Sequence, residues 1–265
     1  MKVGYIQTSP IFGETAQNFK QVENLLGNTK ADLIVLPELF ATGYTFVSKE
    51  EAESMAENTK GETTNFLMRL AEKTDAVVVG GFIEKEGNHI FNSSMIVSKG
   101  EVLGTYRKLH LYYKEKLWFS PGNKPLKIYE VKNTKVGIMI CFDWFFPETF
   151  RTLALLGAEI IAHPANLVLP YCQKAMETRC LINRVFAVTS NRIGNEVRGE
   201  DNFTFTGGSQ ITSYNGEVLS SAPKDKQHID FVEIDVKHAR DKNLNYYNNL
   251  FEERRVEFYY DSDKS

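Results

Sequence analysis

Apolar residues recur along this chain at two spacings, and the places where one gives way to the other predict its elements. Residues 3–8, 32–36 and 76–83 are short apolar runs bounded by polar or turn-forming residues, as buried strands are. Between them, residues 14–28 and 62–73 carry apolar side chains at helical spacing. The first ends near Gly27, and Phe66, Leu67 and Leu70 form the stripe of the second. The pattern then changes: runs at 90–97, 101–106, 126–131 and 135–140 follow one another with turns such as Lys99-Gly100 and Lys132-Asn133. A helix is predicted over 147–156, with Pro147 in its first turn. A strand at 159–162, a helix at 171–184 and a strand at 186–191 come next. A meander at 209–213, 217–219 and 228–234 turns through Tyr214-Asn215-Gly216.

Strand–helix–strand units and hairpins in one chain predict an α/β fold with mixed sheets. The chain shows no repeat, low-complexity tract or linker, so one domain over residues 1–265 is expected, large enough to bury a core without disulfides. Residues 241–265 are polar yet carry Tyr246, Tyr247, Leu250, Phe251, Phe258, Tyr259 and Tyr260, more aromatics than a disordered tail holds. This tail is expected to pack on a surface, and a partner subunit would supply one.

Composition narrows the function. Lys and Arg total 31 against 34 Asp and Glu, for a formal charge of -3, so no basic surplus supports nucleic-acid binding. No apolar run approaches 18 residues, which gives no membrane span, and the first residues enter a strand pattern without a leader. Three irregularly spaced cysteines, Cys141, Cys172 and Cys180, make no disulfide framework. A cytoplasmic protein is expected. No metal site is predicted, because the five histidines lack ligand spacing and Cys172 and Cys180 have no companions. His110 and His163 read as hydrogen-bonding groups that shape loops, and Gly80-Gly81 and Gly207-Gly208 as close-packed strand positions.

Three blocks share one layout, an apolar strand that stops at a polar residue: Leu33-Ile34-Val35-Leu36-Pro37-Glu38, Gly104-Thr105-Tyr106-Arg107-Lys108 and Lys135-Val136-Gly137-Ile138-Met139-Ile140-Cys141. A thiol at a sheet edge, near an ammonium and a helix start, would have a lowered pKa; the bland reading of Cys141 is a buried core cysteine. Glu38 needs a partner, a proton or a cleft after so apolar a strand; otherwise it caps a helix or faces solvent. Lys108 could stabilise an oxyanion or be a solvated basic turn. Glu115 could hold that lysine, contact substrate, or be an ordinary surface acid.

Together the blocks resemble the nitrilase superfamily of carbon–nitrogen hydrolases. Leu-Pro-Glu-Leu-Phe-Ala-Thr-Gly-Tyr (36–44), Tyr-Arg-Lys-Leu-His-Leu (106–111) and Gly-Ile-Met-Ile-Cys-Phe-Asp-Trp-Phe-Phe-Pro-Glu (137–148) look like its glutamate, lysine and cysteine blocks. The likeness also covers His163-Pro164-Ala165-Asn166, Asn183-Arg184 and Gly208-Ser209. It implies an α-β-β-α sandwich of two mixed sheets, and a homodimer through the helices near 147–156 and 171–184 with the tail crossing the partner. By the same resemblance Glu38 matches the general base, Cys141 the nucleophile, Lys108 the oxyanion-stabilising lysine and Glu115 a second glutamate beside them. The N–H of Phe142 would be a further oxyanion donor, and Tyr44, Trp144 and Asn166 would contact substrate.

Phe142 stands where many relatives have tyrosine, and Trp144-Phe145-Phe146 holds no cation to grip a substrate carboxylate. Arg192 and Arg198 are the cations that could approach from loops. The resemblance therefore implies hydrolysis of a small aliphatic amide or an N-carbamoyl amine, as in N-carbamoylputrescine amidohydrolases, without metal or organic cofactor. A nitrilase using the same residues is the alternative, and a retired binding module or an acyltransferase the reading from another class.

Overall fold

Successive residues of the first strand serve two different cores, because side chains alternate across a pleated strand. In chain order the elements are β1 (Lys2–Gln7), α1 (Thr15–Leu26), β2 (Leu33–Val35), α2 (Lys49–Ser54), α3 (Glu62–Thr74), β3 (Val77–Glu86), β4 (His89–Ser98) and β5 (Glu101–Arg107). Then come α4 (Glu115–Trp118), β6 (Ile128–Val131), β7 (Thr134–Ile138), α5 (Pro147–Leu155), β8 (Ile160–Pro164), α6 (Cys172–Asn183) and β9 (Phe186–Ser190). The chain continues through β10 (Asn195–Arg198), β11 (Asp201–Thr204), β12 (Gln210–Thr212), β13 (Val218–Ser221) and β14 (His228–Glu233). The computed structural model describes residues 1–259, so Tyr260 and the rest of the predicted tail lie outside the described residues.

Two six-stranded sheets form, ordered β14-β1-β2-β3-β4-β5 and β13-β12-β9-β8-β7-β6. In the first, β1, β2 and β3 run parallel and the others antiparallel. In the second, β7, β8 and β9 are the parallel strands. Both sheets are mixed, as βα units joined to hairpins require.

Val3, Tyr5, Leu33, Val35, Val77 and Val79 of the first sheet pack with Val136, Ile138, Ile160, Ala162 and Val188 of the second in one buried cluster. The intervening residues Ile6, Ile34 and Val78 turn outward to Phe19, Val22 and Leu26 of α1 and Phe66, Leu67 and Leu70 of α3. Phe19 stacks on Phe66 with ring centroids 4.0 Å apart. Phe150 and Leu153 of α5 and Met176 of α6 cover the second sheet. The result is the expected four-layer sandwich, helices outside and two sheets within. Burying each large apolar side chain contributes about 1.5–3 kcal/mol, so the two faces of each sheet specify their register strongly.

Four differences from the sequence reading bear on the site. The strand expected at 135–140 ends at Ile138, which frees Met139 and Ile140 to lead into the turn that carries Cys141. Gly207 and Gly208 are not strand positions; with φ of 57° and 62° they form a left-handed turn ahead of β12. The hairpin β10–β11 was not expected, and neither was the single turn of α4. Within the described part of the tail, Phe251 packs on the chain's own core, whereas Tyr246 and Tyr247 are 93% and 85% exposed.

Candidate active site

The end of β2 runs through Leu36 and Pro37 into a turn that buries Glu38 completely. Leu39, next in the chain, takes φ of 46°, a strained conformation for a residue with a Cβ. Gly81 of β3 lies against this turn. A Cβ there would sit 2.5 Å from the Leu39 nitrogen and 2.8 Å from the Glu38 Cα, so glycine is what allows the approach.

Lys108 leaves the end of β5 and is as buried as Glu38. Its Nζ donates to Glu38 Oε1 at 2.7 Å and to Glu115 Oε1 at 2.8 Å. Burial alone would lower the lysine pKa, but the Glu115 and Glu38 carboxylates outweigh it and hold the ammonium charged well above its usual range. For Glu115, burial raises the pKa, the Lys108 charge opposes that, and the net direction is upward. Glu115 begins α4, and its other oxygen accepts the Tyr112 N–H at 3.0 Å. Two carboxylates therefore flank one ammonium in a dry setting, where such charges interact strongly.

Cys141 follows β7 across a sharp turn and has φ of 42°. It opens the 3₁₀ turn Cys141–Phe145, which leads into α5. The Phe142 N–H lies in the first turn, where a helix leaves its donors without intrahelical acceptors. Contacts of His163, Asp143 and His110 hold this strained turn. His163 donates from Nε2 to the Cys141 carbonyl at 3.0 Å, and its Nδ1 lies 3.1 Å from the Thr189 hydroxyl, which fixes a neutral tautomer. Burial lowers the His163 pKa to about 4. Asp143 accepts from the Ile140 N–H at 2.9 Å, the Tyr106 hydroxyl at 2.7 Å, and the His110 N–H and Nδ1 at 3.1 and 2.7 Å. His110 in turn stacks on Phe146.

The expectation that this setting lowers the Cys141 pKa is corrected. Burial raises it well above the usual thiol value, the Glu38 charge raises it further, and Lys108 only partly opposes them. A buried thiol beside a carboxylate stays protonated, so reactivity here calls for a base that removes the proton during attack.

Cys141 lines a small cleft with Tyr112, Phe142, Trp144, Asn166, Leu167, Val168 and Leu169. Three of these, Phe142, Trp144 and Asn166, are residues the sequence reading expects to contact substrate. Both side-chain polar atoms of Asn166 are buried without a partner among the described residues. Tyr44 lines a neighbouring cavity with Glu115, Trp118 and Phe203. Burial and the charges of Glu115, Glu38 and Cys141 push its hydroxyl pKa well up, which puts that hydroxyl in the field of the cluster. Arg192 and Arg198 do not reach the cleft; Arg192 pairs with Glu196 at 2.5 Å and Arg198 with Glu51 at 2.7 Å. Among the described residues no cation lines the cleft.

Among the described residues no group of His, Cys, Asp and Glu could hold a metal ion, and no helix is long and apolar enough to cross a membrane. Asn92, Asp143 and Tyr112 were not singled out from the sequence. Asn92 interrupts an apolar strand and Asp143 sits two residues past the cysteine, but only their distant partners mark them out.

A family model described as Carbon-nitrogen hydrolase matches residues 2–243. A nitrilase from Pyrococcus abyssi (strain GE5 / Orsay) is 45% identical over 264 residues, 98% of this chain and 99% of that protein. An (R)-stereoselective amidase from Pseudomonas sp. is 32% identical over 252 residues, 93% of this chain and 90% of that one. Among solved structures, a carbon-nitrogen hydrolase from Helicobacter pylori G27 superposes with a TM-score of 0.89 at 26% identity, over 98% of this chain and 97% of the other.

Proposed function

The chain belongs to the carbon-nitrogen hydrolase family and is an enzyme acting on carbon–nitrogen bonds, and we propose that its substrate is a small uncharged amide or N-carbamoyl amine, cleaved through a thioester on Cys141. The observation that carries this reading is the joining of Lys108 to both Glu38 and Glu115 beside a cysteine that lines an apolar cleft.

In the proposed sequence Glu38 takes the thiol proton as the sulfur attacks the carbonyl carbon. The Lys108 ammonium and the Phe142 N–H stabilise the oxyanion, and Glu115 keeps Lys108 charged and aimed. Glu38 passes its proton to the departing nitrogen, ammonia leaves, and the acyl group stays on sulfur. Water then attacks the thioester, again giving a proton to Glu38. Collapse releases the acid and returns the proton to the thiol. Thiol, carboxylate and ammonium suffice for every step.

Two features of the cleft support a neutral amide. Among the described residues its wall carries no cation to pair with a substrate carboxylate, and the Asn166 amide, without a partner among them, can accept an N–H that an amide or carbamoyl group has and a nitrile lacks. The second reading is a nitrilase, favoured by the 45% identity to a nitrilase. Ammonia release from matched amide and nitrile pairs separates them; faster turnover of the nitrile overturns the amidase reading.

We also propose a homodimer. Leu155 and Leu156 at the end of α5, with Leu181 and Ile182 near the end of α6, leave an apolar face exposed, and a second copy would cover it.

A further inference from the structure

We propose that Asn92 is a positioning residue for the reaction: it locks one oxygen of Glu38, so that the other, Oε2, is the atom that exchanges protons with the thiol, the leaving nitrogen and water. This rests on the reading of Glu38 as the base.

Asn92 lies on β4, opposite Ile83 of β3, and is buried. Its Nδ2 donates to Glu38 Oε1 at 2.6 Å, and the same oxygen receives Lys108 Nζ at 2.7 Å. Glu38 Oε1 thus holds two donors. Oε2 is buried too, yet has no hydrogen-bond partner among the described residues. A buried carboxylate oxygen left in that state costs free energy that a purely structural glutamate would avoid.

The asymmetry decides where a proton goes. Protonating Oε1 would displace the Asn92 amide or the Lys108 ammonium, whereas protonating Oε2 disturbs neither bond. The side-chain orientation follows from the same contact, since turning the amide over would set Oδ1 against a carboxylate oxygen.

Asn92 also fixes the second group of the cluster. Its backbone carbonyl accepts the Lys108 N–H at 2.9 Å. One residue thereby holds the carboxylate through its side chain and the root of the ammonium through its main chain. Leu at this position would match its size and fill the strand, but could not orient a carboxylate.

The test is the pH profile of kcat/KM, read by ammonia release from a short aliphatic amide, for the wild type, Asn92→Leu and Asn92→Asp, with thermal unfolding recorded for each. A hydrogen bond to a carboxylate favours its charged form. Losing that bond in Asn92→Leu should move the acid limb up by about one pH unit and lower kcat about tenfold or more, with KM little changed. Asn92→Asp is close to isosteric and adds a negative charge, so its limb should move at least as far. A folded variant of either kind that keeps the wild-type acid limb overturns the proposal, even if its turnover falls with stability. Glu38→Gln in the same assay separates the two levels. If it keeps wild-type turnover, the base reading fails and this inference falls with it. If it is inactive while the Asn92 variants keep the wild-type limb, only the present inference fails.

Discussion

Tyr106 donates its phenol hydrogen to the Asp143 carboxylate at 2.7 Å, and this bond joins the strand that carries Lys108 to the turn that carries Cys141. The same carboxylate receives the Ile140 and His110 N–H groups, so the cysteine turn and the lysine segment share one buried anchor. Three of the seven non-glycine residues with positive φ among the described residues, Leu39, Tyr113 and Cys141, lie in the segments that carry the site. Strain of this kind persists only where surrounding contacts determine it, and at a reactive centre it aims side chains that relaxed backbone would not.

Lys108→Ala should abolish most turnover. Loss of one oxyanion donor costs about 100- to 1000-fold in kcat. Here it also leaves Glu38 and Glu115 buried together without their shared cation, and removing one partner of a buried pair costs about 3–5 kcal/mol. A lowered unfolding midpoint should accompany the loss of ammonia release, and a folded variant with near-normal kcat would contradict the role assigned to Lys108.

Gly81→Ala should act on the site without touching substrate. The new Cβ would meet backbone of Leu39 and Glu38 at 2.5 and 2.8 Å, and backbone cannot swing aside as a flexible side chain does. Overpacking of this kind costs about 1–3 kcal/mol. A misplacement of about 1 Å at the reacting groups can cost about 100-fold in rate, so kcat/KM should drop by about that factor. Wild-type kcat/KM in a folded Gly81→Ala enzyme would show that the close approach does not position Glu38.

Stability should fall with acid through His163. Its folded pKa of about 4 lies below the ordinary 6.5, so between those values the unfolded chain binds a proton that the folded chain refuses. Stability from this residue is therefore fully present above pH 6.5, declines as pH falls toward 4, and levels off below. The span corresponds to about 3 kcal/mol at about 1.4 kcal/mol per unit. Denaturant unfolding between pH 7 and 4 should be steeper in the wild type than in His163→Gln; equal slopes would contradict the neutral buried histidine.

Asn166→Leu should trade activity for stability. Both polar atoms of this side chain are buried without partners among the described residues, a situation that costs about 1–3 kcal/mol. Leucine removes that cost, so the unfolding midpoint should rise while kcat/KM for amides falls. Unchanged amide turnover in the stabilised variant would show that Asn166 does not read the substrate N–H.

Much of this architecture was legible in the sequence, for reasons that differ by element. Helices α1 and α3 announce themselves because their apolar stripes meet a sheet, and α5 because Pro147 sits in its first turn. The hairpin β10–β11 does not, because Asn195, Val197, Asn202 and Thr204 alternate in the open and carry little apolar signal. Glu38, Lys108, Glu115 and Cys141 stood out because each follows or joins a recognisable block. Asn92 and Asp143 did not, since their partners Glu38 and Tyr106 lie 54 and 37 positions away and a lone polar residue looks the same whether solvated or buried. The thiol pKa was misread for a related reason. Sequence shows which charges exist but not that burial is the largest influence on Cys141 and that Glu38 acts in the same direction.

The most direct measurement is rapid-quench mass spectrometry of the enzyme turning over a short aliphatic amide, with peptides mapped and Cys141→Ala run in parallel. The account predicts an acyl mass on the peptide containing Cys141 during turnover, and neither adduct nor ammonia release from Cys141→Ala. Sustained ammonia release by Cys141→Ala, or an acyl group carried on any other residue, would contradict it.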